Sequence, residues 1–169
     1  GFIRTLTQWV FATSAAQWLE LHRQGVALTL SVNLSTGDLL DQDLPRKFED
    51  ALARHHVPAE AFCLEITESA IMDDAQRALA TLNRLAAMGF RLSIDDFGTG
   101  YSSLAYLKRL PVHELKIDKS FVMAMERDAS DAKIVRSTVD LAHALGLSVV
   151  AEGVENASIL AQLQTLGCD

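Results

Sequence analysis

Residues 94–103 read Ile-Asp-Asp-Phe-Gly-Thr-Gly-Tyr-Ser-Ser (IDDFGTGYSS), and this stretch decides how the chain folds. An apolar strand, Phe90 to Ile94, leads into it, and a short helix, Ser102 to Leu110 before Pro111, leads out, so it occupies a strand-to-helix turn. Strands alternating with helices suit either an open doubly wound sheet or a closed (βα)8 barrel. The open sheet would carry its G-x-G-x-x-G phosphate turn at such a point. Only Gly98 and Gly100 are present, the third glycine is missing, and the preceding carboxylates would repel a pyrophosphate.

Outward from that turn the alternation repeats. Upstream, Ile3, Leu6, Val10, Phe11, Trp18 and Leu19 recur at helical spacing over Phe2 to Leu21, and Gly25 supplies a stop. Val26 to Leu34 predicts a buried strand, followed by a polar turn at Ser35 to Gly37. A helix near Leu44 to His56 begins with Asp43 and Pro45 and ends at Val57-Pro58. Next come a strand at Phe62 to Thr67 and a helix at Ala75 to Met88, capped by Asp73 or Asp74 and closed by Gly89. Downstream the pattern predicts strand Glu114 to Ile117, helix Asp131 to Leu145, strand Leu147 to Ala151, and helix Ala157 to Leu166 after Asn156. Five strands, each followed by a helix, imply parallel pairing in an α/β fold.

Every strand closes on polar or charged residues: Asn33, Glu65 with Thr67, Asp95 with Asp96, Lys116 with Asp118, and Glu152. In a barrel these ends converge on one mouth, the face where barrel enzymes keep their chemistry; in an open sheet they spread along an edge. The barrel explains the pattern, and the expected fold is a (βα)8 barrel.

With 169 residues, 49% of them hydrophobic, the chain can bury one sizeable core and is expected to form one domain or part of one. A net charge of −7 argues against duplex nucleic acid as a partner. Cys63 and Cys168 form no C-x-x-C pair, which disfavours structural zinc or a disulfide framework. The apolar stretch Val139 to Ala151 is too short to span a bilayer, and Gly1 to Trp9 shows no signal-peptide pattern. A cytoplasmic domain is expected, with any membrane anchor elsewhere in a longer parent protein.

Residues two apart on a strand share a face, so Glu65 and Thr67 point together, as do Lys116 and Asp118. Converging carboxylates repel one another unless a cation neutralises them. Oxygen donors, with Asn33 as the neutral member, select Mg2+ or Mn2+ over zinc. If the strand bends at its end, Asp95 and Asp96 both reach the mouth and can bridge two ions about 3.5 to 4 Å apart. Lys116 would stand near a nucleophilic water or a phosphate oxygen, and Glu152 would complete the second metal or act as a base. The bland alternatives are a helix cap or a solvated loop position for any single acid, and a salt bridge to Asp118 or Glu114 for Lys116. Gly98, Thr99 and Gly100, in the loop Asp96 to Ser103, suit unusual backbone angles and movement.

Taken together, SVNLS (31–35), LEITES (64–69), IDDFGTGYSSL (94–104), LKIDKSFV (115–122) and VVAEGVEN (149–156) resemble the EAL-domain family in order and spacing, as does the closing LGCD (166–169). The resemblance implies a barrel phosphodiesterase that uses two Mg2+ or Mn2+ ions to hydrolyse cyclic di-GMP to linear pGpG. It assigns Asn33, Glu65 and Asp95 to the first metal, and Asp95, Asp96 and Glu152 to the second. Lys116 would contact the attacking water, Asp118 would support it, Glu68 would anchor the loop 96–103, and Glu155 would brace the same mouth. The glutamate and arginine of the family's E-A-L-x-R motif do not occur among these residues, nor does the glutamine of its last strand. The resemblance therefore implies a partial domain, about five of the eight strands, inactive by itself. A module that binds cyclic di-GMP as a sensor without cutting it stays open as the alternative. A homodimer formed near the helices after Asp96 and Lys116, and further signalling domains in the parent, are also expected.

Overall fold

The computed structural model describes residues 2–100 and 104–169. The fold is α/β, and its contacts divide it into two compact units, Gly1–Leu92 and Ser93–Asp169, with the chain passing from one to the other along the strand Arg91–Phe97.

The first unit opens with α1 (Phe2–Arg23), which buries Thr7, Phe11, Ala15 and Trp18 at helical spacing. Ile3 and Leu6 of the expected apolar stripe are largely exposed. Strand β1 (Leu30–Leu34) lies parallel to β2 (Phe62–Thr67), in register from Leu30 opposite Phe62 to Leu34 opposite Ile66. The strand expected from Val26 is therefore shorter by four residues. Its partner explains why: β2 is preceded by a 3-10 turn at Ala59–Ala61, leaving no ladder for residues 26–29. Trp18 Nε1 instead donates to the Leu28 carbonyl at 2.8 Å and holds that segment against α1. The expected polar turn after β1 is a short helix, α2 (Thr36–Leu39), closed by a capping box between Ser35 and Asp38.

Helices α3 (Leu44–His55), α4 (Glu68–Met72) and α5 (Ala75–Ala87) complete this unit. Its core is aromatic. Phe11 stacks on Phe48 with ring centroids 3.8 Å apart, and Phe62 and Phe90 close around them at 4.7 and 5.8 Å from Phe11. All four rings are essentially inaccessible, each contributing about 2 to 3 kcal/mol by burial.

The second unit contains β3 (Arg91–Phe97) from Ser93 onward, α6 (Leu104–Leu107), β4 (Glu114–Ile117), α7 (Lys119–Ala124), α8 (Ala129–Ala144), β5 (Ser148–Ala151) and α9 (Ala157–Leu166). Strands β3, β4 and β5 are parallel and lie side by side in chain order. Sequential parallel neighbours in both units match a barrel wall rather than the reversed order of a doubly wound sheet. Leu115, Ile117 and Val149 of the strands and Val135, Val139, Ala142, Ile159 and Leu163 of α8 and α9 are all buried, and α8 packs against β4 and β5. The opposite face keeps Glu114 and Lys116. Side-chain caps start the helices: Asp74 accepts from Arg77 N, Asp128 from Ser130 N and Asn156 from Ile159 N. Helix α8 begins two residues earlier than Asp131 because Asp128 supplies that cap. No helix among the described residues is long and apolar enough to cross a membrane, and both cysteines are free thiols.

Candidate functional site

The site is built on an irregularity in β3. Ile94 pairs with Leu115 and Phe97 with Ile117, so Asp95 and Asp96 together stand opposite the single residue Lys116. This is a β-bulge: one extra residue lets both Ile94 and Phe97 enter the core, although they are three apart. A regular strand would send Asp96 to the same face as Ile94. The bulge frees it instead, at the cost of a left-handed backbone (φ 53°) that aspartate tolerates better than most residues. The expected bend at the strand end is present and takes this form.

One carboxylate oxygen each from Asp95, Asp96 and Glu152 lies within 4.8 Å of the others. Glu152 directly follows β5, and its backbone N–H donates to Ile117 O at 3.2 Å. Lys116 joins the cluster from β4. Its Nζ lies 2.6 Å from Glu152 Oε1 and 3.2 Å from Asp95 Oδ1, with only 11% of the side chain exposed. The structure thus gives Lys116 ion pairs, and two of them are with Asp95 and Glu152. Asp95 Oδ1 also accepts from Asp96 N at 3.1 Å.

Asp118 caps α7, its Oδ1 accepting from Ser120 N at 2.9 Å and from the Ser120 hydroxyl. The Ser120 hydroxyl bond pulls the Asp118 carboxyl below its usual range against the opposing effect of burial. Burial pushes Asp96 above the usual carboxylate range, and the charges of Asp95, Asp118 and Glu152 and a hydrogen bond with Asp118 push it the same way. The cluster is thus a set of oxygen donors in mutual repulsion, which a divalent cation would relieve. Hard ions such as Mg2+ and Mn2+ fit that donor chemistry.

The loop after β3 is tied to the cluster through its backbone. Thr99 Oγ1 donates to Asp96 O at 2.8 Å. Gly98 has φ 97°, and a Cβ there would come within 3.1 Å of the Phe121 ring on α7. Gly100 is exposed, and residues 101–103 of the expected loop lie outside those described.

In the first unit, Asn33 and Glu65 are direct register partners, Asn33 exposed and Glu65 buried. Thr67 is the N-cap of α4, its Oγ1 accepting from Ala70 N at 3.3 Å, and Glu68 is buried at the first position of that helix. Glu155 is exposed and lines a groove with Ser120, Glu126 and Asn156. Two residues that the sequence reading passed over matter here. Ser120 fixes Asp118, and the D-x-S spacing of an Asx-type turn was its signal. Gly153 follows Glu152 with φ 73°, and a Cβ would lie 2.7 Å from Lys119 Cβ.

A sequence model described as EAL domain matches residues 1–169. The chain is 43% identical over 170 residues to the bifunctional diguanylate cyclase/cyclic di-GMP phosphodiesterase MucR of Pseudomonas aeruginosa, covering 100% of this chain and 25% of MucR. It is 39% identical to the cyclic di-GMP phosphodiesterase NbdA of the same organism, covering 100% of this chain and 22% of NbdA. A solved structure of the PaMucR phosphodiesterase in complex with c-di-GMP superposes with TM-score 0.95 at 43% identity, over 100% of this chain and 69% of that one. The chain thus spans about a quarter of the length of these curated relatives.

Proposed function

The chain belongs to the EAL domain family, and on that premise we propose that it carries the catalytic centre of a divalent-metal-dependent phosphodiesterase that opens cyclic di-GMP to linear pGpG. The observation that carries the proposal is the convergence of Asp95, Asp96 and Glu152 with Lys116 at the ends of three neighbouring strands. The match of the whole chain to part of two relatives named as cyclic di-GMP phosphodiesterases supports the choice of substrate.

A phosphodiester is anionic, and so is this cluster. Substrate approach therefore needs cationic charge at the site. Asp95, Asp96 and Glu152 would hold Mg2+ or Mn2+, and the family motifs around Asn33 and Glu65 imply that these two would serve as metal ligands as well. When bound, the metal supplies Lewis acidity toward the phosphate and lowers the pKa of a water. Lys116 offers an ammonium donor on the same strand face, suited to orient the attacking water or a phosphate oxygen. Asp118 is held by Ser120 and is hydrogen-bonded with Asp96, so it can fix the Asp96 carboxyl in one orientation. Thr99, bonded to the Asp96 carbonyl, couples the 98–100 loop to that aspartate. Glu68 and Thr67 at the start of α4, and Glu155, keep supporting roles in the proposal, as do a homodimer, further signalling domains and a cytoplasmic setting.

Asp95→Ala in the full-length protein tests the assignment. Calorimetric titration with Mn2+ should show binding to the wild type and none to the variant, with both folded by circular dichroism. Wild-type Mn2+ affinity in Asp95→Ala would overturn it.

A further inference from the structure

We propose that Lys116 is a resident counter-ion of the carboxylate cluster, holding Asp95 and Glu152 together without metal, and that a divalent ion must displace its ammonium to load. The inference rests on the metal-site reading above and concerns what precedes catalysis.

Three carboxylates with oxygens within 4.8 Å of one another are costly to assemble in a partly buried site. Lys116 meets that cost. Its Nζ bridges Glu152 Oε1 at 2.6 Å and Asp95 Oδ1 at 3.2 Å, so one cation links β3 to the residue that follows β5. The bulge strengthens the arrangement, because the register places both aspartates opposite Lys116. At 2.6 Å the ammonium engages Glu152 Oε1 directly, so a divalent ion that took this oxygen as a ligand would compete with it for the same lone pairs. The flexible four-carbon stem of lysine permits the exchange: the head group can leave the carboxylates and turn toward a water or phosphate without moving β4. The planar guanidinium of arginine would hold its two carboxylates in a fixed fork and resist that exchange.

Three readouts on the full-length protein test this. In EDTA, Lys116→Met should melt at a lower temperature than the wild type, because the carboxylates lose their counter-charge. In calorimetry the same variant should bind Mn2+ about tenfold more tightly, the scale of a close charge pair. In the wild type, the 15N signal of the Lys116 ammonium, assigned by its absence from Lys116→Arg, should shift on titration with Mg2+. Equal or weaker Mn2+ binding by a folded Lys116→Met, beside a wild type that binds, would overturn the counter-ion role and leave the metal site standing. If Lys116→Met does not fold, the wild-type spectrum decides, and an ammonium signal unchanged at saturating Mg2+ overturns the proposal. Failure of both proteins to bind Mn2+ would bring down the metal-site reading and this inference together.

Discussion

At the scale of single residues, the positions that matter most are those whose backbone or charge has no ordinary substitute. Asp96 adopts φ 53° so that Phe97 can return to the core, and its carboxyl is crowded by Asp95, Asp118 and Glu152. Gly153 plays the matching part beside Glu152. Its φ of 73° and the 2.7 Å approach a Cβ would make to Lys119 Cβ leave no room for a side chain. Gly146 has nearly the same φ, 74°, but nothing within 4 Å of the added atom. Gly153→Ala should therefore destabilise the protein by about 2 to 4 kcal/mol and Gly146→Ala by about 1 kcal/mol, measured by urea unfolding. Equal losses would show that backbone angle alone, and not the contact with α7, sets the cost at Gly153. Little of this was legible beforehand. The adjacent aspartates suggested a bent strand end, but nothing in the letters distinguishes a bulge from a simple kink. Sequence proximity offers Lys116 only Glu114 or Asp118 as a rim partner, whereas its ion pairs with Asp95 and Glu152 reach to β3 and to the residue after β5.

At the scale of elements, agreement with the sequence reading follows how strongly each segment is bounded. Strand β2 and helix α9 match residue for residue, because a 3-10 turn and the Thr67 cap bracket the one, and Asn156 and Gly167 the other. β1 was overextended because apolar residues 26–28 look like strand, while the strand ends where its partner ends. The short helices α2, α4 and α7 were not expected. Each is under two turns and held by its cap and packing, so none repeats its apolar spacing long enough to be seen. Another tie between elements is electrostatic. Asp169 accepts from His143 Nε2 of α8 and from Val149 N of β5, both at 2.9 Å, and the His143 bond holds its carboxyl below the usual range. A depressed carboxylate adds stability above its unfolded pKa and loses it as pH falls through the folded one. Asp169→Asn should thus be less stable than the wild type at pH 7, with the gap closing as pH is taken below about 4. A gap that stays constant from pH 7 to pH 3 would remove the ion from this tie.

At the scale of the molecule, the parallel strands in chain order and the polar residues at their ends were both legible from alternation alone, and they fit one another. A barrel wall turns every strand's C-terminal end the same way, so carboxylates scattered over the sequence become neighbours without long-range design. Within the second unit that convergence is direct: Asp95, Asp96, Lys116 and Glu152 are residues of, or adjoining, β3, β4 and β5. The first unit presents Asn33 beside Glu65 by the same register logic. The chemistry was legible because it needs few residue types at fixed places, whereas the caps and close contacts that support it depend on packing. The most direct test incubates the full-length protein with cyclic di-GMP and resolves the products by chromatography, first in EDTA and then with excess Mn2+. Linear pGpG should be absent in EDTA and accumulate once Mn2+ is added. A folded protein that binds cyclic di-GMP yet leaves it intact in excess Mn2+ would contradict the catalytic claim and make the chain a sensor.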